Sequence, residues 1–390
     1  MSDSKQPVFC DTTLRDGNQS LKRPWNSQEK LIVFDQLLKL GVKVIEIGFP
    51  ASSQMDFDSC KILVQNAPKD VTLSVLARAV PEDIMLASQA LQGAQNPRIH
   101  IFMPMNPMGL QYILKKELSQ VADIAIQAIK QAKFLLPPNG EVEFSVEQFG
   151  DCKENLTEVI GVLQQVVQAG ATIINLPNTV ERTHPMAFVE MVKQVKTALP
   201  THVTLSVHCH NDLGMATATT VESFFVGATH METTLNGLGE RCGNANMFEV
   251  ALALHNSGVS VPLNMHHFYQ SAQIISQLSG IPIWEKAPLM GRDCFLHRSG
   301  IHQDGAAKTK TLYKGQYMPY PASLIGREDG ETFEFTSQSG KAALQFFCSK
   351  AGIVLSPEQL ASLMPKAKHL AEQKGELDTT DVSQLCLNGN

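Results

Sequence analysis

The stretch HCHNDLG at residues 208–214 follows a strand-like run, HVTLSV. Side chains alternate along a strand, so His208 and His210 share one face and Cys209 takes the other. Two neutral imidazoles on one face suit a metal ion, with the thiol turned into the wall. Two strand-end histidines bonded to a neighbour are the simpler use, and oxygen donors nearby decide between them. Asp16 in DTTLRDGNQ and Asn244 in NGLGERCGN are the candidates, although each alone also reads as a cap or turn residue. Two imidazoles plus oxygen donors, with positions left open for substrate, suit a divalent Lewis acid. Zn, Mn and Mg are the choices, and the imidazoles favour Zn or Mn.

These residues meet only if the chain folds to gather them. Short β-branched runs (PVFCDTTLRD, VKVIEIGF, VTLSVLAR, RIHIFMPM, EVEFSVEQF, ATIINLP, HVTLSVHCH, HMETTLNG) alternate with amphipathic stretches such as NLTEVIGVLQQVVQAG. A ninth helix-like segment, NANMFEVALALHNSG, follows the last run. Eight β/α units in about 260 residues predict an α/β fold, a (β/α)8 TIM barrel over residues 1–275. An open doubly wound sheet is the competing architecture. Polar residues such as Arg15, Glu46, Glu147 and His208 near the ends of successive strands favour the barrel, which collects groups from many strands on one face. Strand one, read as ending in Arg15-Asp16, is then a neighbour of strand eight, and strand seven adjoins eight. Asp16, His208, His210 and Asn244 are therefore expected to converge. Residues 276–325, rich in Gly, Pro and charge, read as a small linker or lid subdomain. Residues 326–390 read as a helical C-terminal subdomain, with Ser356 as an N-cap before Pro357.

The 390 residues are 43% hydrophobic and 18% charged with a net charge of -6, which gives no reason to expect nucleic acid or an anionic membrane as partner. No apolar run approaches the roughly 18 residues of a membrane span. The start, MSDSKQPVF, lacks the features of a signal peptide, and the cysteines are scattered without a C-x-x-C pair. Reduced thiols and a cytoplasmic location are the expectation.

DTTLRDGNQSL, EIGFPASSQMDFD, HCHNDLG, NGLGERCGN and SGIHQDG, in this order, resemble the acyl-CoA synthase branch of the DRE-TIM metallolyases, and the likeness continues into YMPYPASLIGR and TSQSGKAAL. Within it, RDGNQ, GFPASSQMDFD, LPNTVE and SQSGK resemble the 2-isopropylmalate synthases of actinobacterial and fungal type. Those enzymes normally carry a C-terminal leucine-binding regulatory domain; this sequence stops soon after the helical segment, so that domain is expected to be lacking.

The resemblance implies a Claisen-type condensation of acetyl-CoA with a 2-oxo acid, 3-methyl-2-oxobutanoate first, followed by thioester hydrolysis. It implies a metal held by Asp16, His208, His210 and Asn244, with Arg15 adding fixed positive charge at the keto oxygen, unless Arg15 is a structural partner of Glu46. Glu147, His302 and Tyr317 are the implied proton-transfer groups, Tyr317 being chosen over Tyr313 and Tyr320 by its spacing to IGR. Thr179 is the implied ligand of the substrate carboxylate, and His100 and Ser145 are implied pocket residues. Phe102, on the strand face of His100, is a candidate contact for the oxo-acid side chain. His302 lies outside the barrel segment, and the family completes its site across a homodimer. Homocitrate and citramalate synthases differ only in the oxo acid; a dicarboxylic substrate needs a further cation, for which Lys43 and Arg78 are candidates. A lyase acting like hydroxymethylglutaryl-CoA lyase is the alternative reaction. The loop GERCGN has the synthase form, so Cys242 is read as incidental. A non-catalytic sensor barrel has no need of the acid–base groups.

Overall fold

The computed structural model describes residues 6–330 and 332–387, which fall into two compact units. The first comprises the residues up to Asn264 with Ile274–Ile281; the second comprises Met265–Gln273 and the residues from Pro282 onward.

The first unit is a closed barrel of eight parallel strands in sequential order. Strands and helices alternate as β1 (Val8–Asp11), α1 (Ser27–Lys39), β2 (Val44–Glu46), α2 (Gln54–Asn66), β3 (Thr72–Arg78), α3 (Pro81–Ala90), β4 (Asn96–Pro104) and α4 (Leu118–Leu135). They continue as β5 (Glu141–Glu147), α5 (Leu156–Ala169), β6 (Ile173–Asn178), α6 (Pro185–Ala198), β7 (Thr204–Cys209), α7 (Ala216–Phe225), β8 (His230–Thr233) and α8 (Met247–Asn256). The open-sheet alternative is excluded by closure: Asp11 of β1 is in register with Ile45 on one side and Thr233 on the other.

Local chemistry sets the boundaries. Asn26 caps α1 through a box with Glu29, and α5 ends at Gly170, whose φ of +123° a side chain would resist. Two sequence expectations are corrected. The segment after the last strand is the eighth barrel helix, α8, rather than an extra one. Strand β1 stops at Asp11, so Arg15 and Asp16 sit on the helical turn Thr13–Gly17 beyond it. Asp11 itself causes the stop, accepting from the Thr13 backbone N–H and hydroxyl, both at 2.9 Å.

Both faces of the strands are buried, as parallel strands in a barrel require, and apolar side chains fill the strand–helix layer. The barrel interior is different. Its inward positions include Glu46, Arg98, His100, Glu143, Ser145, Asn175, His208 and Glu232, all with at most 5% exposure. Such a polar core is stable only when each group finds a partner.

The second unit holds a two-stranded parallel sheet of β9 (Leu296–His297) and β10 (Thr332–Phe333). Its helices are α9 (Phe268–Ser279), which the unit boundary divides, then α10 (Gly300–Thr309), α11 (Lys341–Lys350), α12 (Pro357–Lys374) and α13 (Thr379–Leu387). Phe335, Leu344, Phe347, Leu363 and Val382 belong to its core. Ser356 caps α12 as the sequence predicts, in a box with Gln359. Among the described residues, no helix is long and apolar enough to cross a membrane.

Candidate active site

A cavity of about 360 Å³ opens among the loops that follow the barrel strands. Arg15, Asp16, His100, Ser145, Glu147, Thr179, His208 and His210 all line it. The side chains predicted from eight scattered positions thus share one space.

His208 ends the inward face of β7, and His210 follows just beyond the strand, held by a backbone bridge to Asn244. Their Nε2 atoms face each other at 3.0 Å, and Asp16 Oδ2 lies 3.4 and 3.7 Å from them. Cys209 points the other way and is fully buried. Burial opposes charge on His208, but Asp16 and Glu232 outweigh it and raise the imidazole to about 9. Burial and the charge of His208 hold His210 down at about 3. Positive charge is thus favoured on His208, beside the Asp16 carboxylate, and disfavoured on His210.

The donor set fits a divalent metal ion. One nitrogen or oxygen from each of Asp16, His208 and His210 falls within a mutual 4.8 Å. Asn244 is 3% exposed, yet neither side-chain atom of its amide has a hydrogen-bond partner, which is costly unless something else binds it. The glycine-rich loop makes room for that amide. A Cβ on Gly239 would lie 2.6 Å from the Asn244 side chain, and one on Gly243 (φ +90°) would lie 2.0 Å from the Gly237 carbonyl oxygen. The loop after β7 is fixed by Glu181, whose carboxylate accepts from the backbone N–H groups of Leu213 and Met215. Arg241 ties the two loops together through Asp212 and the Thr179 carbonyl. Glu240 accepts from Gln19, so Glu240 and Arg241 bond to neighbouring loops rather than to each other.

Arg15 is a partner of Glu46 and also lines the cavity. Its Nε donates to Glu46 at 2.5 Å and its Nη1 lies 3.1 Å from Asp16. Two buried carboxylates pin the guanidinium beside the candidate donor set and keep it charged, against the cost of burial. Glu46 also takes His100 Nδ1 at 2.6 Å, and His100 Nε2 bonds to Ser145 Oγ at 2.6 Å. Burial opposes charge on His100; Glu143 and Glu46 raise it to about 9. Glu147 is half-buried at the end of β5, and burial alone raises its pKa. Thr179 Oγ1 accepts from the Gln148 backbone N–H at 3.0 Å. Phe49, Leu76, Phe102 and Pro177 form the apolar lining.

His302 and Tyr317 lie in the second unit, where their rings stack with centroids 4.1 Å apart. Tyr313 is 61% exposed and Tyr320 is buried edge-on against Phe295, so of the three tyrosines Tyr317 is the one paired with His302. Cys242 is exposed.

Six lining residues were not singled out from sequence: Gln19, Phe49, Leu76, Asn175, Pro177 and Glu232. Asn175 in ATIINLP and Glu232 in HMETTLNG are lone polar residues inside buried strands, and that incongruity was the available signal. Lys43 and Arg78, the candidate extra cations, do not line the cavity; they pair with Asp70 and Asp83.

Solved structures with this barrel include the hydroxymethylglutaryl-CoA lyases of Bacillus subtilis (TM-score 0.61, 20% identity, 72% of this chain and 95% of that one) and Pseudomonas aeruginosa (TM-score 0.61, 19% identity, 72% and 96%), a likeness of fold. The HMGL-like family model matches residues 6–275, and the "Alpha-isopropylmalate synthase, post-catalytic domain-like" model matches residues 292–349. The chain is 50% identical to 2-isopropylmalate synthase 2 of Leptospira interrogans over 374 residues, covering 96% of this chain and 87% of that protein. It is 36% identical to 2-isopropylmalate synthase 1 of Caldanaerobacter subterraneus over 384 residues, covering 97% and 94%, and 36% identical to the Geobacillus kaustophilus synthase, covering 97% and 72%. With relatives this similar matching along nearly its whole length, the chain belongs to the 2-isopropylmalate synthase family, built on the HMGL-like barrel.

Proposed function

We propose that this protein condenses acetyl-CoA with 3-methyl-2-oxobutanoate and hydrolyses the resulting thioester, giving 2-isopropylmalate and CoA, the condensation that leads toward leucine. The observation that carries this reading is the placement of Arg15, a two-histidine, one-carboxylate donor set and an apolar wall around one cavity.

The reaction removes a proton from the acetyl methyl group, forms a carbon–carbon bond to the keto carbon, and protonates the new alkoxide. Water then displaces the thiolate. Asp16, His208, His210 and Asn244 would hold a divalent ion, which would supply Lewis acidity to the oxo acid. Arg15, fixed by Glu46 and Asp16, presents positive charge where the alkoxide develops, without reorganising during the step. Thr179, whose oxygen already accepts a backbone bond, has its hydroxyl proton left for the substrate carboxylate. His100 and Ser145 orient the oxo acid. Glu147 receives or returns a proton with a basicity raised by burial toward the working pH. His302 and Tyr317 complete the acid–base set, supplied across a homodimer.

Leu76 and Phe102 favour an aliphatic oxo-acid side chain. Beyond Arg15, which this reading assigns to the keto oxygen, the lining holds one further guanidinium, Arg241, and it is paired with Asp212. This speaks for the branched oxo acid over 2-oxoglutarate. A cytoplasmic location belongs to the same reading.

The test is CoA thiol release from acetyl-CoA by the purified protein with 3-methyl-2-oxobutanoate, 2-oxoglutarate, pyruvate or glyoxylate, each with and without a chelator. Chelator-sensitive release with the branched acid alone is expected. Release with another acid reassigns the substrate; no release from metal-loaded protein with any of them overturns the synthase reading.

A further inference from the structure

Eight side chains around the barrel mouth form a closed circuit. His208 Nδ1 and Glu232 Oε2 approach to 2.9 Å, an ion-pair contact short of hydrogen-bond alignment in which neither atom has another hydrogen-bond partner, and Glu232 Oε1 accepts from Asn175 Nδ2 at 2.8 Å. The same Asn175 amide nitrogen donates to Ser145 Oγ at 2.8 Å, and Ser145 meets His100 Nε2. His100 reaches Glu46, Glu46 reaches Arg15, and Arg15 returns through Asp16 to His208. Seven of the eight strands contribute, either directly or, as with β1, through the turn that follows. The circuit joins the metal-ligand histidine to the groups assigned to the oxo acid.

Glu232 is the link that no catalytic demand explains. It is 1% exposed, and its strand neighbours Met231 and Thr233 are buried away from solvent. Burying a carboxylate costs several kcal/mol unless charge and hydrogen bonds offset it. Register explains the contact: Glu232 of β8 pairs with His208 of β7, so the two side chains leave adjacent strands side by side.

Resting on the metal centre read above, we propose that Glu232 is a positioning residue that holds Nδ1–H of His208, fixing the tautomer and ring angle that leave Nε2 free to bind the ion. A carboxylate behind a metal-binding imidazole both orients the ring and raises its basicity as a ligand. Asn175 in turn keeps Glu232 from rotating away, by occupying its other oxygen. A competing use exists, since Glu232, His100 and Glu143 also cluster tightly enough to hold an ion. There, however, both His100 nitrogens are bonded to Glu46 and Ser145, and Glu143 Oε2 accepts from Arg98 at 3.0 Å. Glu143 Oε1 is left without a hydrogen-bond partner, but with both imidazole nitrogens engaged that cluster has no nitrogen donor to offer an ion.

The experiment measures Zn²⁺ and Mn²⁺ affinity of the full chain by competition with a chromogenic chelator, for the wild type, Glu232→Gln, Glu232→Ala and His208→Ala. Gln keeps the shape and one acceptor oxygen, so it guards against misfolding; unfolding of each apo-protein is followed in parallel. His208→Ala shows that the titration reads this site. Wild type binding neither ion overturns the metal-centre reading itself. If the wild type binds, Glu232→Ala should weaken affinity roughly 10- to 100-fold and Glu232→Gln by less. The ¹⁵N shifts of His208 in the Zn-loaded wild type should show protonated Nδ1 and ligated Nε2. Affinity of Glu232→Ala within twofold of wild type, or a Zn-bound His208 ligated through Nδ1, would overturn the proposal.

Discussion

Replacing Glu46 by Gln tests whether the charge network of the barrel interior holds both fold and chemistry. Glu46 is fully buried and receives Arg15 Nε and His100 Nδ1 on its two oxygens. Burial alone would raise its pKa, but Arg15 and His100 hold it at about 2, against an ordinary glutamate near 4.5. That difference corresponds to about 3 kcal/mol of stability at neutral pH. Breaking one side of a buried ion pair costs about 3–5 kcal/mol by an independent route, so the two figures agree. Gln preserves shape but turns an amide N–H₂ toward one of two donors. The expected loss is therefore about 3 kcal/mol, read as a shift of the urea midpoint. Trp25, fully buried in the barrel unit, is the fluorescence reporter. The sign of the pH dependence is fixed. A carboxyl with a lowered folded pKa contributes fully above 4.5 and loses that contribution as pH falls toward 2. The penalty of the substitution should stay constant from pH 7 to about 5 and shrink below 4.5. Loosening Arg15 should also lower kcat by about 10²-fold, the scale of losing one fixed oxyanion donor. A loss under 1 kcal/mol at pH 7, or a penalty that grows on acidification, would refute the network as described.

Two further substitutions probe the chemistry and the loop. Glu147→Gln should lower kcat about 10²- to 10⁴-fold and abolish the acid limb of the kcat/KM profile. In the wild type that limb should lie above the ordinary glutamate pKa, because burial raises Glu147; an unchanged limb in the variant would remove Glu147 from proton transfer. Gly243→Ala forces a side chain into φ +90° with its Cβ 2.0 Å from the Gly237 carbonyl oxygen, so the loop must shift and carry Asn244 with it. Metal affinity should fall about tenfold or more, and wild-type affinity in this variant would show that Asn244 does not hold the ion.

The sequence made the periodic and the paired features legible, because those depend on local rules. Alternating β-branched runs and Gly-terminated helices announced the barrel, and the two-residue spacing of His208 and His210 announced a shared face. Asp16 was found as a ligand candidate although its strand was drawn five residues too long, since barrel adjacency tolerates such an error. Glu232 and Asn175 were missed because their meaning lies in register: only when β8 pairs His208 with Glu232 does that carboxylate acquire a partner. The same holds for Lys43 and Arg78, whose charge was visible in sequence but whose partners, Asp70 and Asp83, lie outside the cavity. His302 and Tyr317 stack across 15 positions of sequence that carry no helical or strand periodicity linking them.

The interior polarity of this barrel follows from a single electrostatic requirement. Asp16, Glu46, Glu143 and Glu232 are carboxylates with at most 1% exposure, and Arg15 and Arg98 are the guanidiniums set against them. Arg98 sits low in the barrel, bridging Glu141 and Glu143, and Arg15 sits at the mouth. The remaining negative charge is answered at the mouth, where Glu143 and Glu46 raise His100 to about 9 and where Asp16 and Glu232 flank His208, beside which a metal ion would bind. A barrel filled with aliphatic side chains would be as well packed and easier to stabilise. What it would lack is a reason for positive charge to collect at the point where a keto oxygen becomes an alkoxide. The buried carboxylates supply that reason: they favour a cation at the mouth, the place that the proposed reaction assigns to the developing oxyanion.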